Sequence, residues 1–385
     1  MKRSILPLLF SVFLLPGCGN RTSTGSLPVL SVPCSSVSSD VQLEELATAS
    51  VIRLPSSDSL LLNDILRIHA DAHSIWLSDR SSVYCFSPAG ELLRRLSRQG
   101  QGPGEYTGIT DFQVDAEGNV WVLSRSQQRL FLYGKDDRLL RTLDLPLWVE
   151  NMKLVEDGLL LYSGNEPDDS GMQLHWMDLS SGTILRHAKP LDRQQAAYLH
   201  VHNRNPFQFA SSGDCHFSQL FNDTIYTLTE AGAVPSAVVD FEGHNVPASF
   251  YAAEYQDIME FFQKFHGVGT YAYGLNLFLD TPQAYCLSYY YQKQCCLAVL
   301  PKSGTGQRVM NGFRLSSPLS DYPVDLNEVA MFAQDDGSII LPLDAASVKE
   351  YYAASSRPVP QEVSAYLQEV SEDANPFLLV VRFHE

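Results

Sequence analysis

The chain has 385 residues, 45% of them hydrophobic and 18% charged, which is enough apolar material for a sizeable core and too much for a globally disordered chain. Acidic residues outnumber basic ones 44 to 27, and a formal charge of -17 sets nucleic acid and anionic membrane surfaces aside as partners. Length alone allows two ordinary domains or one large β domain, so internal repetition has to decide.

Lys2 and Arg3 precede an apolar run from Ile5 to Leu15, too short to span a bilayer and arranged like a secretory signal. The run ends in Leu15-Pro16-Gly17-Cys18, which resembles a bacterial lipobox and implies cleavage before Cys18 and lipidation of its thiol. Residues 1–17 are then the signal. Residues 18–40, rich in Ser, Thr, Pro and Gly and almost uncharged, predict a flexible tether to a folded domain spanning 41–385. The other cysteines (Cys34, Cys85, Cys215, Cys286, Cys295 and Cys296) show no C-x-x-C spacing and read as buried small hydrophobes.

From Asp64 onward, short period-2 strands follow one another in fours. Asp64 to Ile68, Ser74 to Ser78, Val83 to Phe86 and Leu92 to Leu96 make a first unit. Asp111 to Val114, Asn119 to Leu123, Arg129 to Leu132 and Leu139 to Leu143 repeat it, so that Trp76 aligns with Trp121. A third unit runs from Met152 to Arg186, and Arg94, Arg141 and Arg186 recur at roughly 45-residue intervals, the period of four-stranded propeller blades. Asp115 to Asn119 (DAEGN) is hairpin-turn chemistry.

A looser fourth unit covers Phe207 to Phe241. Tyr251, Tyr255, Ile258, Met259, Phe262 and Phe265 then fall at helical spacing within Ala248 to His266, which predicts an inserted amphipathic helix packed on the rim. A fifth unit runs from Thr270 to Leu300, and a sixth begins at Glu328 to Ala333 and Ser338 to Leu341. Its missing outer strands are expected from the two chain ends, Ala49 to Leu54 and Phe377 to Phe383, because a closed ring hides sheet edges. Ala345 to Ala354 and Gln361 to Glu372 read as helices before the last strand. The expected architecture is an all-β, six-bladed β-propeller with inserted helices.

Gln113 to Tyr133 resembles the blades of NHL-repeat propellers. Arg98 to Tyr106 (RQGQGPGEY), Phe221 to Tyr226 (FNDTIY) and Asn375 to Leu379 (NPFLL) are similar to segments of the exported six-bladed propeller lipoproteins of Bacteroides-type bacteria. The resemblance implies the fold and an envelope location at the outer membrane, not a chemistry. Asp79 of the first unit gives way to Ser124-Arg125 in the second, so that position carries no repeated role.

The Gly100 to Gly104 loop lacks the Lys-Ser/Thr ending of a phosphate cradle and enters no helix. As a crossing from one blade to the next, it makes Arg98, Glu105 and Tyr106 candidates for ligand contact near an axial channel. His200 and His202, with His216 beyond, are the metal candidates, since alternation on a strand sets the first two on one face. No G-x-S-x-G elbow is present, and Asp168-Asp169 and Asp335-Asp336 read as solvated turns. These residues favour a lipid-anchored binding or scaffold module for an envelope protein or small ligand, with no cofactor. The alternative is a lyase or lactonase with calcium or zinc at the channel.

Overall fold

The computed structural model describes residues 26–384, save Asp157, Pro167, His202, Ser356 and Glu372; the signal run and Cys18 lie outside the described residues. Short alternating strands are turned back by tight loops of the kind seen at Asp115. Its carboxylate accepts from the Asn119 amide at 2.8 Å, and Gly118 takes a φ of +78°, where side chains are strained. Repetition of this hairpin chemistry produces an all-β propeller.

The first three sheets are four-stranded meanders in chain order. They comprise Arg67–Ala70, Ile75–Ser78, Ser82–Phe86 and Leu92–Ser97; Asp111–Val114, Val120–Ser124, Arg129–Tyr133 and Leu139–Asp144; and Asn151–Val155, Gly158–Tyr162, Met172–Met177 and Ile184–Pro190. The fourth and fifth, built from Phe207–Phe209 through Gly232–Asp240 and from Ala272–Asp280 through Arg308–Met310, each gain a fifth strand from the N-terminal segment.

Two expectations are corrected here. The described residues form seven sheets, so the propeller has seven blades rather than six. The additional one is a small three-stranded sheet of Tyr322–Asp325, Gly312–Leu315 and Val41–Gln42. The predicted tether is also partly inside the fold. Val29–Ser31 pairs in parallel with Val238 to Asp240, Val37–Ser38 pairs with Val309 and Met310, and Leu30, Val32 and Cys34 are buried. Uncharged Ser- and Pro-rich composition signals a linker only when its few apolar residues find no sheet edge, and here two edges are free to take them.

The last sheet is ordered Phe332–Ala333, Ile339–Leu343, Phe377–Phe383 and Ala47–Arg53, so the chain ends pair antiparallel from Phe377↔Arg53 to Phe383↔Ala47. The helices Ala345–Ser355 and Gln361–Glu369 pack Val348, Tyr352, Val363 and Leu367 against this region. The inserted helix is broken in two, Ala248–Tyr251 and Ile258–Val268, because the Asp257 side chain accepts from the Glu260 amide at 2.9 Å and starts a new helix. Phe261 and Phe265 pack that helix on the rim among Tyr198, Phe221 and Tyr273, while Met259 is left exposed.

The recurring arginines bind each sheet to the next. On the outer strand of the first sheet, Arg94 donates to Gly118 O at 3.0 Å and to Asp137 at 2.8 Å in the second. Arg141 of the second donates to Leu179 O and Ser180 O of the third, and Arg186 of the third to Thr229 O and Glu230 O of the fourth. The Arg94 and Arg186 guanidiniums also lie over Trp76 and Trp176, at 5.7 and 4.0 Å from the ring centres.

At the axis, polar side chains do the same work. An innermost strand has one unpaired edge whose backbone groups need partners. Asp111 accepts from Met152 N at 2.9 Å, joining the innermost strands of the second and third sheets; Gln334, just after Phe332–Ala333, accepts from Ala70 N at 2.7 Å; and Asn205, just before Phe207–Phe209, donates to Met331 O at 3.0 Å.

Candidate functional site

Inner strands of several sheets enclose an axial cavity of about 60 Å³, room for a handful of waters. Arg67 and His69 come from the first sheet, Asp111 and Gln113 from the second, Asn151 and Lys153 from the third, and Arg204 and Gln208 from the start of the fourth. Period 2 explains the first three pairs, since residues two apart on an inner strand point the same way, into the cavity, whereas Arg204 precedes the strand Phe207–Phe209.

Most charge in the cavity is already matched. Arg67 Nε meets Asp111 Oδ1 at 3.1 Å, and the same carboxylate accepts from the Phe112 and Met152 amides, each at 2.9 Å. Lys153 Nζ meets both oxygens of Asp335, at 2.7 and 2.9 Å. Three groups remain uncommitted. The exposed Arg204 has no hydrogen-bond or ion-pair partner for its guanidinium among the described residues and lies over Phe332, 5.7 Å from the ring centre. Asn151 Oδ1 and Gln208 Oε1 are buried acceptors that find no donor among the described residues. Surrounding protein and then the like charge of Arg67 lower the Arg204 pKa, as expected for a cation short of a counter-ion.

This donor set does not fit an axial calcium or zinc ion. Three cationic side chains line the cavity against two carboxylates, each already held by one of those cations. A divalent ion there has to displace Arg67 or Lys153 before it gains a carboxylate ligand.

His69 also lines the cavity. Its Nε2 lies 3.1 Å from Phe112 O and its ring stands edge-on to Phe112. Desolvation first, then the Lys153 charge, bring its pKa from 6.5 to about 4, against the opposing pull of Asp111 and Asp335. Between those two values the unfolded chain binds the proton and the folded chain does not, so stability falls as pH drops from 6.5 towards 4. The loss from His69 reaches at most about 3 kcal/mol. Urea midpoints measured from pH 7.5 to 5 are expected to decline, and His69→Gln to remove part of the decline. An unchanged pH slope in that variant contradicts the assignment.

The sequence candidates lie elsewhere. Tyr106 is fully buried among Phe112, Phe131 and Tyr133, accepts from the Arg98 amide at 3.0 Å and donates to Ser81 O at 2.9 Å; burial raises its pKa to about 12. Glu105 folds into the glycine loop, where its carboxylate accepts from Gly102 N at 2.8 Å and leaves Gly100 no space for a Cβ, which would fall 1.9 Å from Glu105 Oε2. Arg98 donates to Asp137 O at 3.1 Å. None of the three lines the axial cavity, and all three hold the crossing between the first and second sheets.

His200 follows the short helix Arg193–Ala196 on a non-strand segment, 3.0 Å from Glu166, so it is not on the expected strand; His202 lies outside the described residues. His216 lies between Asp280 at 3.3 Å and Thr227 at 3.2 Å. All six described cysteines are buried free thiols.

A family model described as a domain of unknown function, DUF4934, matches residues 29–382, a span that starts at the first N-terminal strand and ends in the last strand of the closing sheet. The chain belongs to the DUF4934 family. Among solved structures, this DUF4934 chain is similar to a Bacteroides fragilis protein assigned as exported, at 19% identity and a TM-score of 0.74, over 94% of this chain and 100% of that one. It also matches a DUF4221 member from Bacteroides vulgatus (8% identity, TM-score 0.49, 88% and 97% covered). A third match is a virginiamycin B lyase from Staphylococcus aureus (9% identity, TM-score 0.43, 87% and 99% covered). Only the first bears on this chain, and it bears on the fold alone. No protein of curated function matches the DUF4934 sequence. Among the described residues no helix is long and apolar enough to cross a membrane.

Proposed function

We propose that the protein is an exported propeller, lipid-anchored through Cys18 at the outer membrane, that binds an envelope protein or small ligand through one face of its ring and performs no catalysis. The observation that carries this reading is the state of the axial cavity: its charges are matched to one another except at the mouth, where Arg204 is left over beside Phe332. Drug-sized ligands need roughly 300–1,000 Å³ of pocket. At about 60 Å³ the cavity admits only the tip of a ligand, such as an acidic side chain presented by a partner, with Arg204 as its counter-charge and Asn151 and Gln208 as acceptors for any donor it carries. The apolar run from Ile5 to Leu15 and the Leu15-Pro16-Gly17-Cys18 ending motivate the location.

Crosslinking in native envelopes tests both halves. The wild-type chain is expected to capture a defined partner, and Arg204→Glu to lose it while melting like wild type; equal capture by the variant overturns the channel-mouth reading. Labelled fatty acid is expected in wild type and absent from Cys18→Ala. Equal labelling in the two removes Cys18 as the anchor.

A further inference from the structure

On the flank of the third sheet, away from the axis, two histidines and a carboxylate converge. His175 lies on Met172–Met177 and His187 on the outer strand Ile184–Pro190, and the two are direct register partners, so their side chains leave the sheet on the same face. Their Nδ1 atoms are 2.8 Å apart, and the Asp168 Oδ2, from the loop before Met172–Met177, lies 3.9 Å from His175 Nδ1. All three candidate ligand atoms fall within 4.8 Å of one another.

We propose that Asp168, His175 and His187 bind a borderline divalent transition metal, with Zn²⁺ the ion of reference. Tetrahedral zinc at about 2.0–2.2 Å from N and O ligands sets those ligands roughly 3.3 Å apart. The observed spacings bracket that value, so small side-chain rotations complete the site. Two imidazoles and one carboxylate suit zinc and its neighbours better than calcium or magnesium, which favour oxygen.

The surroundings of His175 prepare it as a ligand. Its Nε2 is 3.2 Å from Ser163 Oγ, and that hydroxyl has its own acceptors in Gln173 O and Met172 O, at 3.3 and 3.4 Å. Ser163 therefore accepts from His175 Nε2–H, which leaves the Nδ1 lone pair aimed at His187 and Asp168. Asp168 is fixed through its other oxygen, Oδ1, by Ser170 N, Ser170 Oγ and Gly171 N at 3.0, 2.7 and 3.0 Å. Those bonds and His175 outweigh desolvation and hold its carboxyl below the usual range. His187 is exposed, which gives the ion a route in and leaves a fourth position for water. The site is independent of the axial cavity and of the binding reading above.

A metal-free hydrogen bond between the two rings is the competing account, and His187→Gln separates them, because glutamine keeps a hydrogen-bonding group and loses the imidazole. Tag-free full chain, stripped with chelator, is titrated with Zn²⁺ alone against a competing indicator. One equivalent bound per chain and a rise in Tm are expected, with binding at least tenfold weaker in His187→Gln and Asp168→Asn. Both variants change positions that are not fully buried, and their metal-free melts are expected to stay near wild type. His200→Gln is expected to bind as wild type does. Absence of zinc binding by wild type, undiminished binding by His187→Gln, or loss of binding on His200→Gln overturns the proposal.

Discussion

A chain lacking Phe377–Phe383 is expected not to fold. That strand lies in the middle of the closing sheet, between Ile339–Leu343 and Ala47–Arg53, and Phe377, Leu378, Leu379, Val380 and Val381 are all buried. Five such side chains at about 1.5–3 kcal/mol each represent roughly 7–15 kcal/mol, as much as the whole stability of a typical domain at about 5–15 kcal/mol. Its removal also leaves Ala47–Arg53 with no partner in the sheet. Circular dichroism and gel filtration should show an unfolded or aggregated product. A cooperative melt at the wild-type temperature removes this strand from the closure of the propeller.

Removing residues 26–36 is the second large effect. The same deletion costs nothing if the segment is a tether. In the structure it takes away Leu30, Val32 and Cys34 from a core shared with Phe241, Leu287 and Tyr289, and it uncovers the outer edge of Gly232–Asp240. Three buried side chains correspond to roughly 4–9 kcal/mol. The shortened chain is expected to melt several degrees lower or more, and to self-associate through the bared edge. Identical calorimetric melts for the chains beginning at 26 and at 37 restore the tether.

The blades are legible in sequence because each is a run of local hairpins. Period-2 strands, turns such as DAEGN and the spaced Arg94, Arg141 and Arg186 all act within about one repeat, where pattern and structure coincide. The three-stranded sheet is not legible. One of its strands is only Gly312–Leu315, its neighbour Tyr322–Asp325 contains Pro323, and the third, Val41–Gln42, comes from the far end of the chain. The axial cavity is missed for a related reason. Arg67, Lys153, Arg204 and Gln334 meet only because the sheets close around an axis, and no spacing along the chain records that. A signal was nevertheless present. The first strand of each early unit carries two polar residues at i and i+2 (Arg67 and His69, Asp111 and Gln113, Asn151 and Lys153) in segments otherwise apolar enough to be buried. The glycine-rich loop is the more conspicuous stretch of sequence, and its Glu105 and Tyr106 hold the loop together.

The N-terminal segment, which crosses four sheets in succession, also orders events in time. Val29, Val37, Val41 and Ala47 are made well before the residues they pair with, Val238, Val309, Phe313 and Phe383. Closing contacts over roughly 200–340 residues costs about 4 kcal/mol more in chain entropy than closing a five-residue hairpin. The early meanders can therefore assemble as they emerge, while the leading segment waits until the trailing one arrives. Ring closure becomes the last and slowest step of folding, and a chain whose synthesis stops short never reaches it.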